Sequence, residues 1–221
     1  MKTKWGVLGS GGIARRRTIP EGIAKASNAE LCAVAGLNVD RVRSVAEEFG
    51  ARACASELEL LDSECQIVDI ATPVHLHREQ ARRAAEAGKH VFCEKPLALN
   101  ADEARDMVDV CRANGVTLGT ALMMRFHAQH QAALGIIREG KLGTPVFTRA
   151  QLSCWYPPIP GAWRQDPATG GGGSLMDLGA HCLDLLEMLF GRIARVACST
   201  ANKVHAYRSE DTAIVLVEFT H

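Results

Sequence analysis

A glycine-rich turn near the amino terminus has the composition of a phosphate-binding loop. It reads G-S-G-G-I-A and fits G-x-G-x-x-[G/A], which makes its first five residues candidate cofactor contacts: Gly9, Ser10, Gly11, Gly12 and Ile13. Glycines there permit a tight turn and the close approach of a pyrophosphate, and a following helix would direct N–H groups at the anion. Glycine-rich turns are common, but this one lies at the first strand-to-helix junction of an alternating chain. That context favours dinucleotide binding over an ordinary tight turn.

The position that would contact the cofactor's ribose carries no carboxylate. In dinucleotide-binding units an acidic side chain about 20 residues beyond the loop holds the 2′-hydroxyl. Here the second apolar run ends at Gly36, Leu37 and Asn38 come next, and Arg41 and Arg43 lie within the following helical turn. An absent acid with arginines nearby favours a 2′-phosphate, and hence NADP, with Leu37 and Arg41 as contacts. Alternatively, the two arginines belong to a solvated helix face.

Two further segments carry side chains suited to moving a proton. Lys95 follows a strand-like run and would project from the carboxyl edge of a sheet, where α/β proteins bind ligands; alternatively, it forms a surface ion pair with Glu94. Asp177, His181 and Asp184 are spaced i, i+4, i+7 and share one helix face. Histidine, with an ordinary pKa near ~6.5, suits general acid–base chemistry, and a neighbouring carboxylate can orient it. The same face would also fit a metal ion or a plain polar surface.

Short apolar runs alternate with helix-like segments over the first 120 residues. The runs are Trp5–Gly9, Leu31–Gly36, Gln66–Thr72, His90–Cys93 and Val116–Thr120. Helices are predicted over 12–27, 39–49 and 75–87, and a further one begins at Asn100 and ends before Gly115. Pro20 should kink or restart the first of them. This alternation is typical of a parallel sheet with helices on both faces.

The pattern changes after about residue 121. A helix over ~126–139 is followed by an alternating strand at Pro145–Ser153, a loop at Tyr156–Gly173, a helix over 175–189, and strands near 193–203 and 211–220. The predicted fold is α/β, with a Rossmann-like doubly wound parallel sheet in residues 1–121. Residues 122–221 are predicted to form an incomplete α+β domain with an open antiparallel sheet.

The composition fits a folded protein that handles small molecules. Of 221 residues 47% are hydrophobic, and 25 basic residues balance 25 acidic ones. Zero net charge argues against nucleic acid or a membrane surface as the partner. The amino terminus lacks the features of a signal peptide, and no uncharged apolar run reaches ~18 residues. The cysteines form no C-x-x-C pair, which predicts reduced, buried thiols in the cytoplasm and neither disulfides nor a zinc site.

Together these segments resemble the Gfo/Idh/MocA family of NAD(P)-dependent oxidoreductases. The matching stretches are Gly9–Ala14, Ala71–His77 (ATPVHLH), Ala87–Pro96 and Gly170–Asp184 (GGGGSLMDLGAHCLD), in the family's order. Tyr156–Asp166 resembles the sugar-reductase branch. The resemblance implies hydride transfer between NADP(H) or NAD(H) and a carbon of a sugar, keto-sugar or polyol. The cofactor supplies the hydride chemistry, and the protein supplies orientation and the proton.

The resemblance also implies roles for particular residues. Lys95 and His181 would handle the proton at the reacting oxygen, and Asp177 would bind substrate and orient the pair. Further cofactor contacts are implied at Thr72, Pro73, His77, Glu94, Lys95, Trp163 and Arg164. No metal is needed in this scheme, because Lys95 and His181 polarise the oxygen.

The chain departs from the family pattern in three places. The usual T-P-N reads Thr72-Pro73-Val74, and the acidic ribose contact is absent at Gly36. Family members are longer, so the chain is expected to stop near the middle of the second domain, as a fragment, a truncated product or a short form. Missing strands would open a sheet edge and remove part of the dimer surface. A homo-oligomer is therefore expected only for the full-length chain.

Two classes of function therefore stay open. The first is a sugar or polyol oxidoreductase. The second is a non-catalytic nucleotide-binding regulatory protein or an inactive truncated homologue. The joint presence of Lys95, Asp177 and His181 favours the enzyme, because a pure sensor needs only the glycine loop.

Overall fold

The apolar runs of the first 121 residues form the strands of a parallel sheet in the computed structural model, which describes residues 1–220. The strands are β1 (Thr3–Leu8), β2 (Ala29–Ala35), β3 (Arg52–Ala53), β4 (Ile67–Ile70), β5 (His90–Cys93) and β6 (Leu118–Thr120). Their order is β3-β2-β1-β4-β5-β6, and this doubly wound arrangement confirms the predicted fold class. The short β3 was missed, because its two exposed residues form no apolar run.

Helices on both faces connect these strands. The α-helices are α1 (Val39–Phe49), α2 (Glu57–Leu61), α3 (His77–Glu86) and α4 (Ala101–Ala113). The side chains of Asn38, Ser56 and Asn100 each accept the backbone N–H three residues further on. Such a cap contributes about 1 kcal/mol to helix stability, and these three fix where α1, α2 and α4 begin.

The segment after the glycine loop forms one continuous π-helix, Ala14–Ile23, with Pro20 inside it. The helix does not restart at Pro20, so the prediction of a restart there was wrong. Proline has no N–H to donate, and its ring clashes with the preceding turn of an α-helix. The wider i→i+5 turn, as in the 2.9 Å bond from Ala24 N–H to Ile19 O, accommodates the ring without a break.

Two apolar clusters cover the two faces of the sheet. Val7 and Val34 pack with Ile19 of the π-helix, whereas their strand neighbours Leu8 and Ala35 pack in the cluster that includes Ala84 of α3. Successive side chains of a strand point to opposite faces, so this alternation accounts for helices on both sides. The clusters hold the carboxyl ends of β1, β4 and β5 in fixed positions.

A second compact unit begins at Leu122. Its elements are α5 (Ala128–Arg138), α6 (Pro167–Gly170), α7 (Ala180–Phe190), β7 (Ile193–Ala201) and β8 (Thr212–Phe219), with a π-helical turn at Leu175–Gly179 that leads into α7. β7 and β8 pair antiparallel, with Val196 opposite Val217 and Cys198 opposite Val215. The antiparallel sheet predicted for this part of the chain is confirmed.

The strand predicted at Pro145–Ser153 is wrong. Residues 145–158 have no regular secondary structure, although the apolar and polar side chains still alternate. Within residues 1–220 no strand pairs with this segment. A strand needs a neighbour for its backbone N–H and C=O groups, and sequence alternation alone does not supply one.

The second unit buries little apolar surface. Among residues 122–220, Leu134 is the one buried apolar side chain, at 8% exposed. The predicted burial of all cysteines was likewise too broad. Cys54, Cys65, Cys93 and Cys111, in the first unit, are buried, whereas Cys154 and Cys198, in the second, are exposed. No helix among residues 1–220 is both long and apolar enough to cross a membrane.

Candidate functional site

The glycine loop turns at the carboxyl end of β1, beside the loop that follows β4. Gly9 has a φ of +110°, and its N–H donates to Ala35 O at 2.8 Å. A Cβ on Gly9 would lie 2.7 Å from Ala71 O, so only glycine permits this close approach of two backbones. The strand order reverses between β1 and β4, the point at which open α/β sheets bind ligands.

Arg41 places its guanidinium against the loop. A Cβ built on Gly11 would lie 2.7 Å from Arg41 Nη1. Arg43 instead faces Asp40 on the exposed surface of α1, with 3.8 Å between Nη1 and Oδ1. A guanidinium offers several donors and a permanent positive charge to a phosphate. The geometry therefore separates the two arginines, and Arg41, the one named as a contact from the sequence, is the one beside the candidate phosphate site.

Gly36, directly after β2, lies close to the glycine loop. A Cβ on Gly36 would lie 3.0 Å from Ser10 Oγ and 3.2 Å from Ser10 N, so a side chain there would crowd the loop. Leu37 is fully exposed. Gly12 has a φ of +49°, and no described atom lies within 4 Å of a Cβ built on it.

His77 joins the loops that follow β4 and β5. Its Nε2 lies 2.9 Å from Thr72 O, and its Nδ1 lies 3.1 Å from Pro96 O and 3.2 Å from Leu97 O. The ring is 1% exposed, and burial lowers the pKa of His77 although the carbonyl contacts oppose this. Sequence reasoning placed His77 in the cofactor lining, whereas this geometry turns it inward to hold the two loops together.

The other candidate contacts lie on the same two loops. Thr72 Oγ1 donates to Gln80 Oε1 at 2.5 Å, and Pro73 begins a short 3₁₀ turn. Glu94 N–H donates to Ile70 O at 2.9 Å, and Glu94 Oε2 accepts the N–H of Lys95 at 3.3 Å. Lys95, half-buried, precedes a cis peptide bond to Pro96. The first unit thus gathers the glycine loop and the 72–73 and 94–95 segments at one edge of the sheet.

A buried carboxyl group lies on β4 beneath these loops. Asp69 is fully buried, and neither of its carboxyl oxygens has a hydrogen-bond partner within residues 1–220. Burial, helped by the nearby charge of Glu94, raises the pKa of Asp69 well above its ordinary value. Burying an unpaired carboxylate is strongly unfavourable, so burial favours the protonated form of this group in the folded protein.

Replacing Asp69 with asparagine should therefore stabilise the protein at neutral pH. The unfolded chain releases the Asp69 proton near ~pH 4 and the folded chain does so at higher pH, so the wild type loses stability as pH rises between the two values. The advantage of Asp69→Asn should grow over that range by up to about 1.4 kcal/mol per pH unit. Urea unfolding at several pH values measures it. Exposed Asp109→Asn is the control, and parallel curves for Asp69→Asn and wild type would contradict the assignment.

In the second unit, Arg164 and Asp177 form an ion pair. Arg164 Nε lies 3.4 Å from Asp177 Oδ1, and the guanidinium carbon of Arg164 lies 4.1 Å from the centre of the Trp163 ring. Trp163 and Arg164 share a 3₁₀ turn, while Asp177 lies in the π-helical turn before α7 and His181 in the first turn of α7. Three of the predicted residues thus meet here, and His181 follows on the same helix.

The glycine run at 170–173 allows the chain to pass close to Glu210, a residue that sequence reasoning missed. A Cβ on Gly173 would lie 1.9 Å from Glu210 O. Glu210 O accepts the N–H of Ser174 and Glu210 Oε1 accepts that of Leu175, each at 2.9 Å. A carboxylate at the start of a helix is favourable. No local signal marks Glu210, because its partners lie 35 residues away in the chain.

Asp184 has a structural partner. Arg125 Nε lies 2.7 and 2.8 Å from the two carboxylate oxygens of Asp184. Asp184 raises the pKa of Arg125. Asp184 therefore anchors α7 to the segment before α5.

His127 and His130, at the start of α5, also have local partners. His127 Nδ1 accepts the N–H of Gln129 at 3.3 Å and caps α5, and His130 Nδ1 lies 2.8 Å from Met124 O. Within residues 1–220 no group of three or more His, Cys, Asp or Glu side chains could hold a metal ion.

A parallel sheet in this order, with a glycine loop where the order reverses, defines the class of dinucleotide-binding α/β proteins. Two family models match the chain: an oxidoreductase family with an NAD-binding Rossmann fold over residues 3–122, and the GFO/IDH/MocA C-terminal domain over residues 130–221. The chain belongs to the GFO/IDH/MocA oxidoreductase family, as the sequence predicted.

Several relatives of this chain are named as dehydrogenases or reductases of sugars and sugar derivatives. It is 36% identical over 188 residues to a 1,5-anhydro-D-fructose reductase of Ensifer adhaerens, covering 84% of this chain and 56% of the relative. It is 34% identical over 200 residues to a D-xylose 1-dehydrogenase (NADP(+)) of Haloferax volcanii, covering 90% and 60%. A levoglucosan dehydrogenase solved with NADH and levoglucosan superposes with a TM-score of 0.84 and 26% identity, over all of this chain and 64% of that one. The chain thus spans less than two thirds of each.

Proposed function

We propose that the chain is the cofactor- and substrate-binding part of an oxidoreductase that transfers a hydride between NADP(H) and a sugar, keto-sugar or polyol. The observation that carries the proposal is the glycine loop at the switch point of the sheet, with the 72–73 and 94–95 loops beside it. The family, and relatives named as sugar dehydrogenases and reductases, support it.

The cofactor would lie across the carboxyl edge of the first unit. Gly11 and Gly12 would approach the pyrophosphate, since neither carries a side chain that blocks the backbone N–H groups. Thr72, Pro73 and Glu94 would border the nicotinamide half, held by His77 from behind. When bound, the cofactor supplies the hydride chemistry.

Lys95 and His181 would hold and move the proton. Hydride transfer at a C–O carbon needs a matched proton transfer at oxygen. Lys95 belongs to the first unit and His181 to the second, so their meeting at one oxygen is part of the proposal. Asp177 would bind a substrate hydroxyl with its orientation fixed by Arg164, because a paired carboxylate keeps one geometry. Trp163 would contact the nicotinamide end.

Arg41 supports NADP as the preferred cofactor. Its guanidinium lies against the glycine loop, and no acidic side chain stands at the end of β2 to hold a ribose hydroxyl or repel a phosphate. Leu37, fully exposed at that edge, would be the second contact on the adenosine side.

Arg41→Ala should weaken NADPH binding by about tenfold or more and leave NADH binding within about threefold. A hydrogen bond to a charged group contributes about 1.5–3 kcal/mol, and 1.4 kcal/mol is tenfold in affinity. Arg43→Ala on the same helix is the matched control, since Arg43 faces Asp40. Fluorescence titration with both cofactors measures the ratio. A wild type that prefers NADH, or equal effects of Arg41→Ala and Arg43→Ala, would contradict the NADP assignment.

A substrate screen tests the activity itself. Oxidation of NADPH is followed with keto-sugars and sugar lactones, and reduction of NADP⁺ with sugars and polyols. We expect turnover with at least one of them. Cofactor binding without turnover on any member would contradict the proposal and favour a nucleotide-binding regulatory role.

A further inference from the structure

A β-bulge in β2 turns the side chain of Cys32 out of the strand's alternation. Trp5 of β1 lies opposite Leu31, and the next residue of β1, Gly6, lies opposite Ala33. Cys32 is therefore the extra residue, without a partner in β1. Regular alternation would put Cys32 and Ala33 on opposite faces of the sheet. Instead Cys32 packs against the apolar cluster that contains Ala33, because a bulge redirects a side chain.

A second thiol, that of Cys65, lies in the same cluster. Cys65 belongs to the segment between α2 and β4 and is 2% exposed. A Cβ on Gly6 would lie 3.2 Å from Cys65 Sγ, and Cys32 Sγ lies 3.3 Å from O of the preceding residue, Trp5. The two sulfurs thus lie over one peptide unit of β1, where a glycine leaves room for them.

The two thiols are hydrogen-bonded to each other. The bond from Cys32 lowers the pKa of Cys65 to about 6, with help from Ser63 and the charge of Lys89, although burial opposes this. The same bond, together with burial, raises the pKa of Cys32. The pair therefore shares one proton near neutral pH and presents one thiolate. The thiolate is the form of cysteine that reacts with oxidants.

Other buried cysteines of the first unit differ from this pair. Burial raises the pKa values of Cys54, Cys93 and Cys111. A buried thiol with a raised pKa is inert. These three cysteines are therefore internal controls for any reaction of the pair.

Cys32 connects the pair with solvent. It is partly exposed, and the charged groups of Lys4 and Glu64 lie near its sulfur. These two side chains form an ion pair at the surface. An exposed ion pair contributes little stability, so it is a weak barrier to a molecule as small as hydrogen peroxide.

We propose that Cys32 and Cys65 form an oxidation site, at which hydrogen peroxide joins the two sulfurs in a reversible disulfide. The Cys65 thiolate attacks one peroxide oxygen: an S–O bond forms, the O–O bond breaks, and the departing hydroxide takes a proton from solvent to become water. The Cys32 sulfur then attacks the Cys65 sulfur: an S–S bond forms, the S–O bond breaks, and the Cys32 proton leaves with the hydroxide as a second water. The two thiols lose two electrons to the peroxide, and a dithiol reductant restores them by exchange.

The disulfide would tie β2 to the segment that leads into β4, across β1. It closes the chain between residues 32 and 65 and thereby removes conformations from the unfolded protein, so the oxidised protein should unfold at a higher temperature. Cys32 lies beside the middle of β1 (Thr3–Leu8), away from the glycine loop at the carboxyl end. The inference does not depend on cofactor binding or turnover, and its test uses neither.

Peptide mapping tests the site directly. The dilute protein is treated with hydrogen peroxide, its remaining thiols are blocked with iodoacetamide in denaturant, and it is digested without reduction by trypsin and Glu-C. Glu-C cleaves after the glutamates between Cys54 and Cys65, so the two cysteines fall in separate peptides. The proposed disulfide joins the peptides 31–41 and 65–78, which mass spectrometry detects as one linked species.

We expect the linked peptides in more than about half of the protein, while about 90% of Cys54 and Cys111 stays free because their thiols keep their protons. Dithiothreitol should restore both thiols of the pair. The melting temperature of the oxidised protein should exceed that of the reduced protein by about 5 °C or more.

Single alanine variants give the matched comparison. Cys54→Ala removes a buried thiol of the same cluster outside the pair and should retain the linked peptides and the gain in melting temperature. Cys32→Ala, at a partly exposed position, should fold and lose both. Wild-type protein without the linked peptides, linkage of Cys54 as frequent as that of Cys65, or a melting temperature that falls on oxidation would overturn the proposal. The last result would show that the two sulfurs meet only when the sheet opens.

Discussion

Replacing Lys95 or His181 with alanine is expected to reduce turnover by about 100-fold or more, because each variant removes one of the two groups proposed to move the proton at the reacting oxygen. Groups that act as a unit are not additive, so the double variant should be little worse than the poorer single variant. NADPH affinity should change much less for His181→Ala than for a variant of the glycine loop, since His181 is placed at the substrate. Steady-state kinetics and cofactor titration on the three variants measure these effects.

Lys25→Ala, in an exposed position of the first unit, is the control for loss of a lysine and should turn over normally. The competing interpretation treats His181 as a packed polar residue of α7. It predicts a lower free energy of unfolding for His181→Ala with near-normal turnover in the folded fraction. That combination would rule out the catalytic assignment of His181.

Gly11→Asp is expected to abolish measurable binding of NADPH, with a loss of affinity of at least about 100-fold. The new side chain would begin 2.7 Å from Arg41 Nη1, so its carboxylate would occupy the space in front of the loop and neutralise the guanidinium beside it. A phosphate would then meet a negative charge where the wild type offers N–H groups and a positive one. Isothermal titration measures the binding.

The fold should survive this substitution, because the atom that the new Cβ meets is the end of a flexible side chain. Gly22→Asp is the matched control, since no described atom lies within 4 Å of a Cβ at that position. It should bind NADPH as the wild type does. A folded Gly11→Asp protein with unchanged NADPH affinity would remove the loop from the cofactor site.

The first unit could be predicted closely from the sequence, because its signals are local. Apolar runs bounded by glycine became strands, and Asn100 capped the helix that it was expected to begin. The π-helix around Pro20 could not be predicted in this way. Because proline lacks an N–H, it predicts a disturbed helix. Whether the helix breaks or widens into a π-helix depends on what packs against it.

The second unit was harder to predict because its geometry depends on distant partners. The alternation at residues 145–153 predicts a strand, but a strand forms only beside another. The ion pair of Arg164 with Asp177 and the bonds from Ser174 and Leu175 to Glu210 join residues separated by 13 to 36 positions. Sequence spacing grouped Asp184 with Asp177 and His181, yet Asp184 pairs with Arg125, 59 residues earlier.

Sequence spacing located some of the candidate cofactor contacts and not others. The glycine spacing located the loop, because glycines at these positions permit the tight turn and close approach that a bound phosphate needs. Spacing alone gave no physical reason to prefer Arg41, the residue named as a contact, over Arg43, since both lie in the first turns of α1 and only their side-chain directions differ. Nor did it indicate that His77 faces the carbonyl groups of two loops.

Isotope transfer tests the central claim most directly. NADPH carrying deuterium at C4 of the nicotinamide, prepared separately on each face, is incubated with the protein and a keto-sugar that it turns over. Direct hydride transfer predicts that the product sugar gains one deuterium from one of the two labelled forms and none from the other, as measured by mass spectrometry. Oxidation of the cofactor without deuterium in the sugar from either form would contradict the account.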